Sequence, residues 1–282
     1  MTKREGTGSL NNPLGEYDII YSLTCHESPE CIIDLLNNIE YFNKKLRYLV
    51  IMQINDYLLK YFLENPQLLW NKISKIIIND YVYNNTLHTY DLIEAHCKNF
   101  EKVKDINFKY FCLLSSNCLF KKEITKDFLD NLYNKQEKSK EERITETKVK
   151  GAQLVNFEKN TLLSELFKKQ KAPLFVYQHE SALYKKGIFQ YIYNYCKIYD
   201  LKNKITHNIA FEESIFPTLE YKQLGYLCPR FCKVFWDMPE YTPTIEQIRD
   251  EEMPMVKRIP RIYDNILRKY IRESNNNYQK LK

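Results

Sequence analysis

Short β-rich apolar runs alternate with helical patterns through the first 130 residues, and this alternation restricts the fold more than any other feature of the chain. The run YDIIYSLTC (17–25) is followed by Ser28 and Pro29, an N-cap and a first-turn proline. CIIDLLNNIEYF comes next, with apolar residues at 32, 33, 35, 36 and 39 that fit a 3.6-residue period. RYLVIMQI (47–54) is a second strand, so the chain opens on a β-α-β unit with a parallel crossover. A helix at 57–65, a strand at 75–79, a helix around HTYDLIEAHCKNF and the continuous apolar run YFCLLSS (110–116) carry the order on. Alternation of this kind builds an α/β fold, a central and mostly parallel sheet flanked by helices. Ligands in such sheets sit at the carboxyl ends of the strands, here Cys25-His26, Asn55-Asp56 and Ser115-Ser116-Asn117.

The second half resumes with LFVY (174–177) and adds a helix at 188–199, the segment IAFEESIFPTLEY (209–221), a strand KVFWDM (233–238) and an arm ending NILRKYIRES. One domain over 17–272 is expected, after a loose leader at 1–16 and before a polar tail at 273–282. The charge density of 135–150 cannot be buried and marks a solvated helix, a loop or an acceptor-side flap.

Several chemistries are excluded by what the motifs lack. None of the six glycines lies in a GxGxxG or GxxxxGK[ST] pattern, so neither glycine-dependent phosphate cradle is present. The five histidines show no HxxxH or HExxH spacing, the serines no GxSxG elbow, and the acids no DxD pair. The eight cysteines include no CxxC, and Cys228 and Cys232 with His207 make at most half a zinc site, so no metal is expected. Neither a signal peptide nor an 18-residue apolar run is seen, which places the protein in the cytoplasm, at most on the cytosolic face of a membrane. Its net charge of +6 is spread along the chain, and no basic-aromatic motif is concentrated enough for nucleic-acid binding.

Two segments carry candidate chemistry. In Phe211-Glu212-Glu213-Ser214-Ile215-Phe216-Pro217-Thr218, adjacent carboxylates open a helix; they complement its dipole or hold a general base at a cleft. In Met253-Pro254-Met255-Val256-Lys257-Arg258-Ile259-Pro260-Arg261, cations flank an apolar stretch that is either a solvated edge strand or a phosphate-neutralising site.

The order of these segments resembles the core-2/I-branching family of β-1,6-N-acetylglucosaminyltransferase-like glycosyltransferases, over roughly residues 17–270. The family's opening strand, His turn and Leu-rich helix are similar to IIYSLTCHESPECIIDLL, with His26, and its His-Val-Asp-like turn falls on Gln53-Ile54-Asn55. Its Leu-Leu-Ser-Gly-x-Asp-like segment resembles Leu113-Leu114-Ser115-Ser116-Asn117, and its Pro-Asp-Glu-x-x-Phe segment resembles Phe211–Phe216. An Arg-Tyr-x-x-Trp-like strand is similar to Lys233–Trp236, and a closing Phe-Ala-Arg-Lys-Phe-like element to Met255–Arg258. The family's Gly-Ser-x-Trp acceptor segment is replaced here by Val176-Tyr177-Gln178-His179-Glu180.

The resemblance implies a GT-A-like domain and an inverting, metal-independent glycosyltransferase. Glu213 would be the catalytic base. His26, Asn55, Lys233, Lys257 and Arg258 would bind the donor, a nucleotide sugar of the UDP-sugar type, and no further cofactor is implied. Ser115, Ser116, Asn117, Glu180 and Glu212 would line the acceptor side, for a glycan or glycolipid of a surface polysaccharide. The competing expectation is a non-catalytic α/β binding or scaffold protein, in which the same acids and lysines do only surface work.

Overall fold

The computed structural model describes residues 17–70, 75–79, 91–138, 175, 177–201, 211–235 and 242–274. The elements run β1 (Tyr17–Cys25), α1 (Pro29–Phe42), β2 (Tyr48–Ile54), α2 (Asp56–Glu64), α3 (Gln67–Trp70), β3 (Ile76–Asn79), α4 (Asp91–Val103), β4 (Phe108–Ser115), β5 (Cys118–Phe120) and α5 (Lys126–Lys138). They continue with β6 (Leu183–Lys185), α6 (Lys186–Ile198), α7 (Glu212–Leu224), β7 (Cys232–Val234), α8 (Ile245–Asp250), β8 (Met255–Lys257) and α9 (Ile266–Glu273).

The first strand shows why the sheet is central. Its residues alternate between two cores: Ile19, Tyr21, Leu23 and Cys25 pack into one with Val50 and Met52 of β2, while Ile20 packs into the other with Leu49 and Ile51. A strand apolar on both faces needs cover on both faces, and helices supply it. The order is β3-β2-β1-β4-β6; β1 to β4 are parallel and β6 runs antiparallel to β4. The chain is thus an α/β domain around a mostly parallel sheet, as the alternation requires. Ser28 does cap α1, accepting a hydrogen bond from the Cys31 N–H, with Pro29 in the first turn.

A second sheet, β5-β8-β7, shares the first core through Phe120, Phe231, Met255 and Val256. Its outer strand β5 is closed by one side chain: Asn38 of α1 donates to the Phe120 carbonyl at 2.8 Å and accepts from the Phe120 N–H at 2.7 Å, doing what a neighbouring strand would do. On the other side of β1 a buried amide does similar work. Asn99 of α4 donates to Ser22 Oγ and accepts from Asn79 at the end of β3, both at 3.0 Å.

The second half departs from expectation in extent. The strand expected at 233–238 is Cys232–Val234, and residues 236–241 lie outside the described part. Of the run 174–177 only Phe175 is bridged; Tyr177 is not in a strand, and 174 and 176 lie outside the described residues. Pro217 explains this locally. It sits inside α7 without an N–H, so the Glu213 carbonyl loses its helical partner, and the Tyr177 N–H donates to that carbonyl at 2.8 Å instead. The segment is held by a helix rather than by a sheet. The expected leader 1–16 lies outside the described residues, as do 139–150 of the charged stretch and 275–282 of the tail; Lys135–Lys138 belong to α5.

Candidate functional site

The carboxyl ends of β1 and β4 lie side by side, with Thr24 paired to Ser115, and the loops leaving them meet the second sheet. Lys257 ends β8, the middle strand of that sheet. Its ammonium donates to Glu180, which also accepts from Ser115 Oγ at 2.9 Å and from the Gln178 side-chain amide. Burial alone would raise the Glu180 carboxyl, yet His179 and Lys257 hold it down to about 2. Burial likewise works against the Lys257 charge, and Glu180 outweighs it, so the net shift is upward. The pair is therefore ionised despite its cover.

Backbone conformation marks the same two residues. Ser181 follows Glu180 with φ 58°, and Arg258 follows Lys257 with φ 72°, both in the left-handed region that non-glycine residues seldom enter. Strain of about 1–3 kcal/mol at each such residue persists only where the surroundings dictate it. Here Ser181 is fixed by its N–H to the Leu113 carbonyl at 2.7 Å and by its Oγ, which accepts from the Phe231 N–H at 2.8 Å. The sharp turns aim Glu180 and Lys257 at each other.

The first turn of α7 adds two more carboxyls. Glu212 is 4% exposed, and its Oε2 is buried without a hydrogen-bond partner. Burial, with Glu213 and Glu180 as like charges nearby, pushes its pKa up to about 8. At neutral pH Glu212 is therefore a neutral acid and no base. Glu213, 9% exposed, lies within electrostatic reach of both Glu212 and Lys257.

Of the other residues singled out from the sequence, His26 joins this group. Burial and the charges of Arg261 and Lys257 lower its pKa to about 4, so it is neutral beside the cations. Ser116 is fully buried beside Glu27, and the Asn117 carbonyl accepts from the Ile259 N–H at 3.3 Å. Asn55 is at the end of β2, where its side chain caps α2 by accepting from the Leu58 N–H at 2.8 Å. Lys233 stands apart: Lys257 is paired with Val234 and Lys233 with Val256, so the pleat sets the two lysines on opposite faces of the small sheet, and Lys233 is exposed. The Lys233 expected beside Lys257 at a diphosphate thus points away from it.

The sequence pattern also passed over two groups. His179 lies against Glu180 at 3.6 Å and stacks edge-on to His96 at 5.9 Å between ring centroids, and His96 Nδ1 is 2.8 Å from Ser22 Oγ. Burial drives both histidines down, to about 4 and about 3, so both are neutral at pH 7. Arg230 is buried against Glu220 at 3.0 Å and stacks on Tyr177. The only sequence signal for either was adjacency, since His179 precedes Glu180 and Arg230 lies in the Cys-Pro-Arg-Phe-Cys run.

The protonated Glu212 has a measurable consequence. Its carboxyl ionises near 4.5 when unfolded and at about 8 when folded. Its contribution to stability is complete below pH 4.5 and is lost as pH rises toward 8, by about 1.4 kcal/mol per pH unit. His26, His96 and His179 act with the opposite sign, losing stability as pH falls below 6.5, but equally in wild type and in Glu212→Gln. The melting temperature of wild type minus that of Glu212→Gln should therefore fall steadily between about pH 5 and 8. Parallel curves would show that Glu212 is not held neutral.

Among the described residues no group of three or more His, Cys, Asp or Glu side chains is placed to hold a metal ion, and no helix is long and apolar enough to cross a membrane. No protein-family model matches the chain, and a search of curated proteins finds no significant match.

Proposed function

We propose that the protein is an inverting glycosyltransferase of GT-A-like fold that moves a sugar from a nucleotide-sugar donor, of the UDP-sugar type, to a hydroxyl of a glycan or glycolipid. The observation that carries this reading is the buried Lys257–Glu180 pair at the carboxyl end of β4, with Glu213 and a neutral Glu212 within electrostatic reach of it. A Glu212 held neutral supplies a hydrogen-bond donor and leaves the role of base to its neighbour Glu213.

In the reaction the acceptor hydroxyl oxygen attacks the anomeric carbon from the face opposite the diphosphate. The new C–O bond forms as the old one breaks, and its electron pair leaves on the nucleoside diphosphate. The hydroxyl proton goes to the Glu213 carboxylate. Lys257, held in place by Glu180, is the cation aimed at the charge developing on the leaving group, and Arg258 lies next to it on its strained turn. His26, neutral and next to Lys257, adds a hydrogen-bonding ring without competing charge.

The test is a screen of UDP- and other nucleotide sugars, with product detection, in buffer containing EDTA. Slow donor hydrolysis or transfer to a glycan, undiminished by the chelator, is the expected result. A protein neither hydrolysing nor thermally stabilised by any nucleotide sugar at millimolar concentration would favour the non-catalytic binding or scaffold reading.

A further inference from the structure

One end of the Asn99 side chain faces three oxygens: Ser22 Oγ at 3.0 Å and the Ile51 and Leu23 carbonyls at 3.4 and 3.5 Å. Carbonyls only accept, so that end is the amide nitrogen, and the Asn99 oxygen accepts from Asn79. Ser22 Oγ thus receives a proton from Asn99 and has its own to place. His96 Nδ1, at 2.8 Å, is the other partner of this hydroxyl among the described residues. A buried hydroxyl proton without an acceptor is costly, so Ser22 donates to Nδ1 and the ring proton of the neutral His96 sits on Nε2. That Nε2–H is buried and bonded to nothing among the described residues. His179 supplies the complement. Its neutral ring turns Nε2 toward the Glu180 carboxylate at 3.6 Å, which draws the proton to that nitrogen and leaves Nδ1 as a lone pair. Nδ1 too is buried without a partner among the described residues. The two rings meet edge-on at 5.9 Å between centroids, and Phe216 lies against both.

We infer that His96 and His179 form a buried hydration site, whose water accepts from His96 Nε2–H and donates to His179 Nδ1. A water bonded to two nitrogens at ordinary hydrogen-bond lengths keeps them about 4.5–6 Å apart, which suits rings at this spacing. The site offers one donor and one acceptor, so it takes a small molecule that is both. A metal cation would meet the His96 N–H, and an anion would meet the His179 lone pair with Glu180 behind it. The water completes a chain in which every donor points the same way. Asn79 donates to Asn99, Asn99 to Ser22, Ser22 to His96, His96 to the water and the water to His179, whose own N–H faces Glu180. Aligned hydrogen bonds polarise one another, so the chain turns its positive end toward the carboxylate that holds Lys257. His179 is therefore a positioning residue for the Glu180–Lys257 pair. Nothing in this chain depends on a sugar or a nucleotide.

The experiment is NMR of the ligand-free protein labelled with ¹⁵N and ¹³C, at pH 7, with each imidazole assigned through its own backbone. Long-range ¹H–¹⁵N correlations should show both His96 and His179 as the Nε2–H tautomer, and the His96 Nε2–H should cross-relax with a water resonance. A His96 ring protonated at Nδ1, or a His96 Nε2–H without contact to water, overturns the site. His96→Phe removes the donor and fills the water's place with a larger ring. In this variant the ¹⁵N resonance of His179 Nδ1 should move downfield, toward that of an unbonded ring nitrogen, and an unchanged shift also overturns the site. Should His96→Phe fail to fold, the two wild-type readouts decide by themselves.

Discussion

Glu213→Gln is expected to transfer sugar about 10²–10⁴-fold more slowly than wild type under saturating donor and acceptor, the usual worth of a positioned general base. The amide keeps the size of the side chain and leaves the backbone carbonyl that holds Tyr177 untouched, so the loss should fall on kcat. Donor binding, followed as the thermal shift with a nucleotide sugar, should be retained. Transfer by Glu213→Gln at the wild-type rate would remove Glu213 from the mechanism. Loss of both the thermal shift and the unfolding transition would mean a folding defect, and Glu213→Asp, which keeps the charge, would then be compared for partial activity.

The largest effect on stability is expected at Arg268, which is fully buried in α9. Its guanidinium bonds Asp34 at 2.9 Å and Glu27 at 3.4 Å, and its Nε donates to the Pro260 carbonyl at 2.8 Å. Removing one partner of a buried ion pair costs about 3–5 kcal/mol because the remaining charge is left without compensation. Arg268→Met should fall at the lower end, about 3 kcal/mol. Arg272 still reaches Asp34 at 3.1 Å and Arg261 still reaches Glu27 at 3.1 Å. Urea unfolding measures this, and adding Glu27→Gln and Asp34→Asn to Arg268→Met should restore part of the loss. A midpoint for Arg268→Met indistinguishable from wild type would show that the cluster contributes nothing net.

The first half of the fold was legible because its signals are local. Ser28-Pro29 starts a helix by itself, and strands apolar on both faces require a covered parallel sheet whatever lies beyond them. The site was legible in part for the same reason, since Glu212, Glu213 and Lys257 were each marked by local pattern, whereas Glu180 entered only through the family resemblance. What brings Glu180 to Lys257 is not local: two left-handed residues and the insertion of β8 between β5 and β7. The misplacement of Lys233 follows from the pleat, since one step along a strand reverses a side chain's face, and the pairing register is invisible in the residues themselves. Arg268 looked like any basic residue of a terminal arm, because its partners lie 234 and 241 positions earlier.

That separation also orders events in time. At ribosomal rates of roughly 5–20 residues per second, Glu27 waits on the order of 10–50 s for Arg268 to be synthesised. The parallel strands can pair before then, but the β1–α1 corner carries uncompensated acids until the last helix arrives, and β8 brings Lys257 only shortly before it. Closing contacts over such spans is slow. The acids of the β1–α1 corner therefore meet their buried partner late, and this corner can close only once residue 268 has been made.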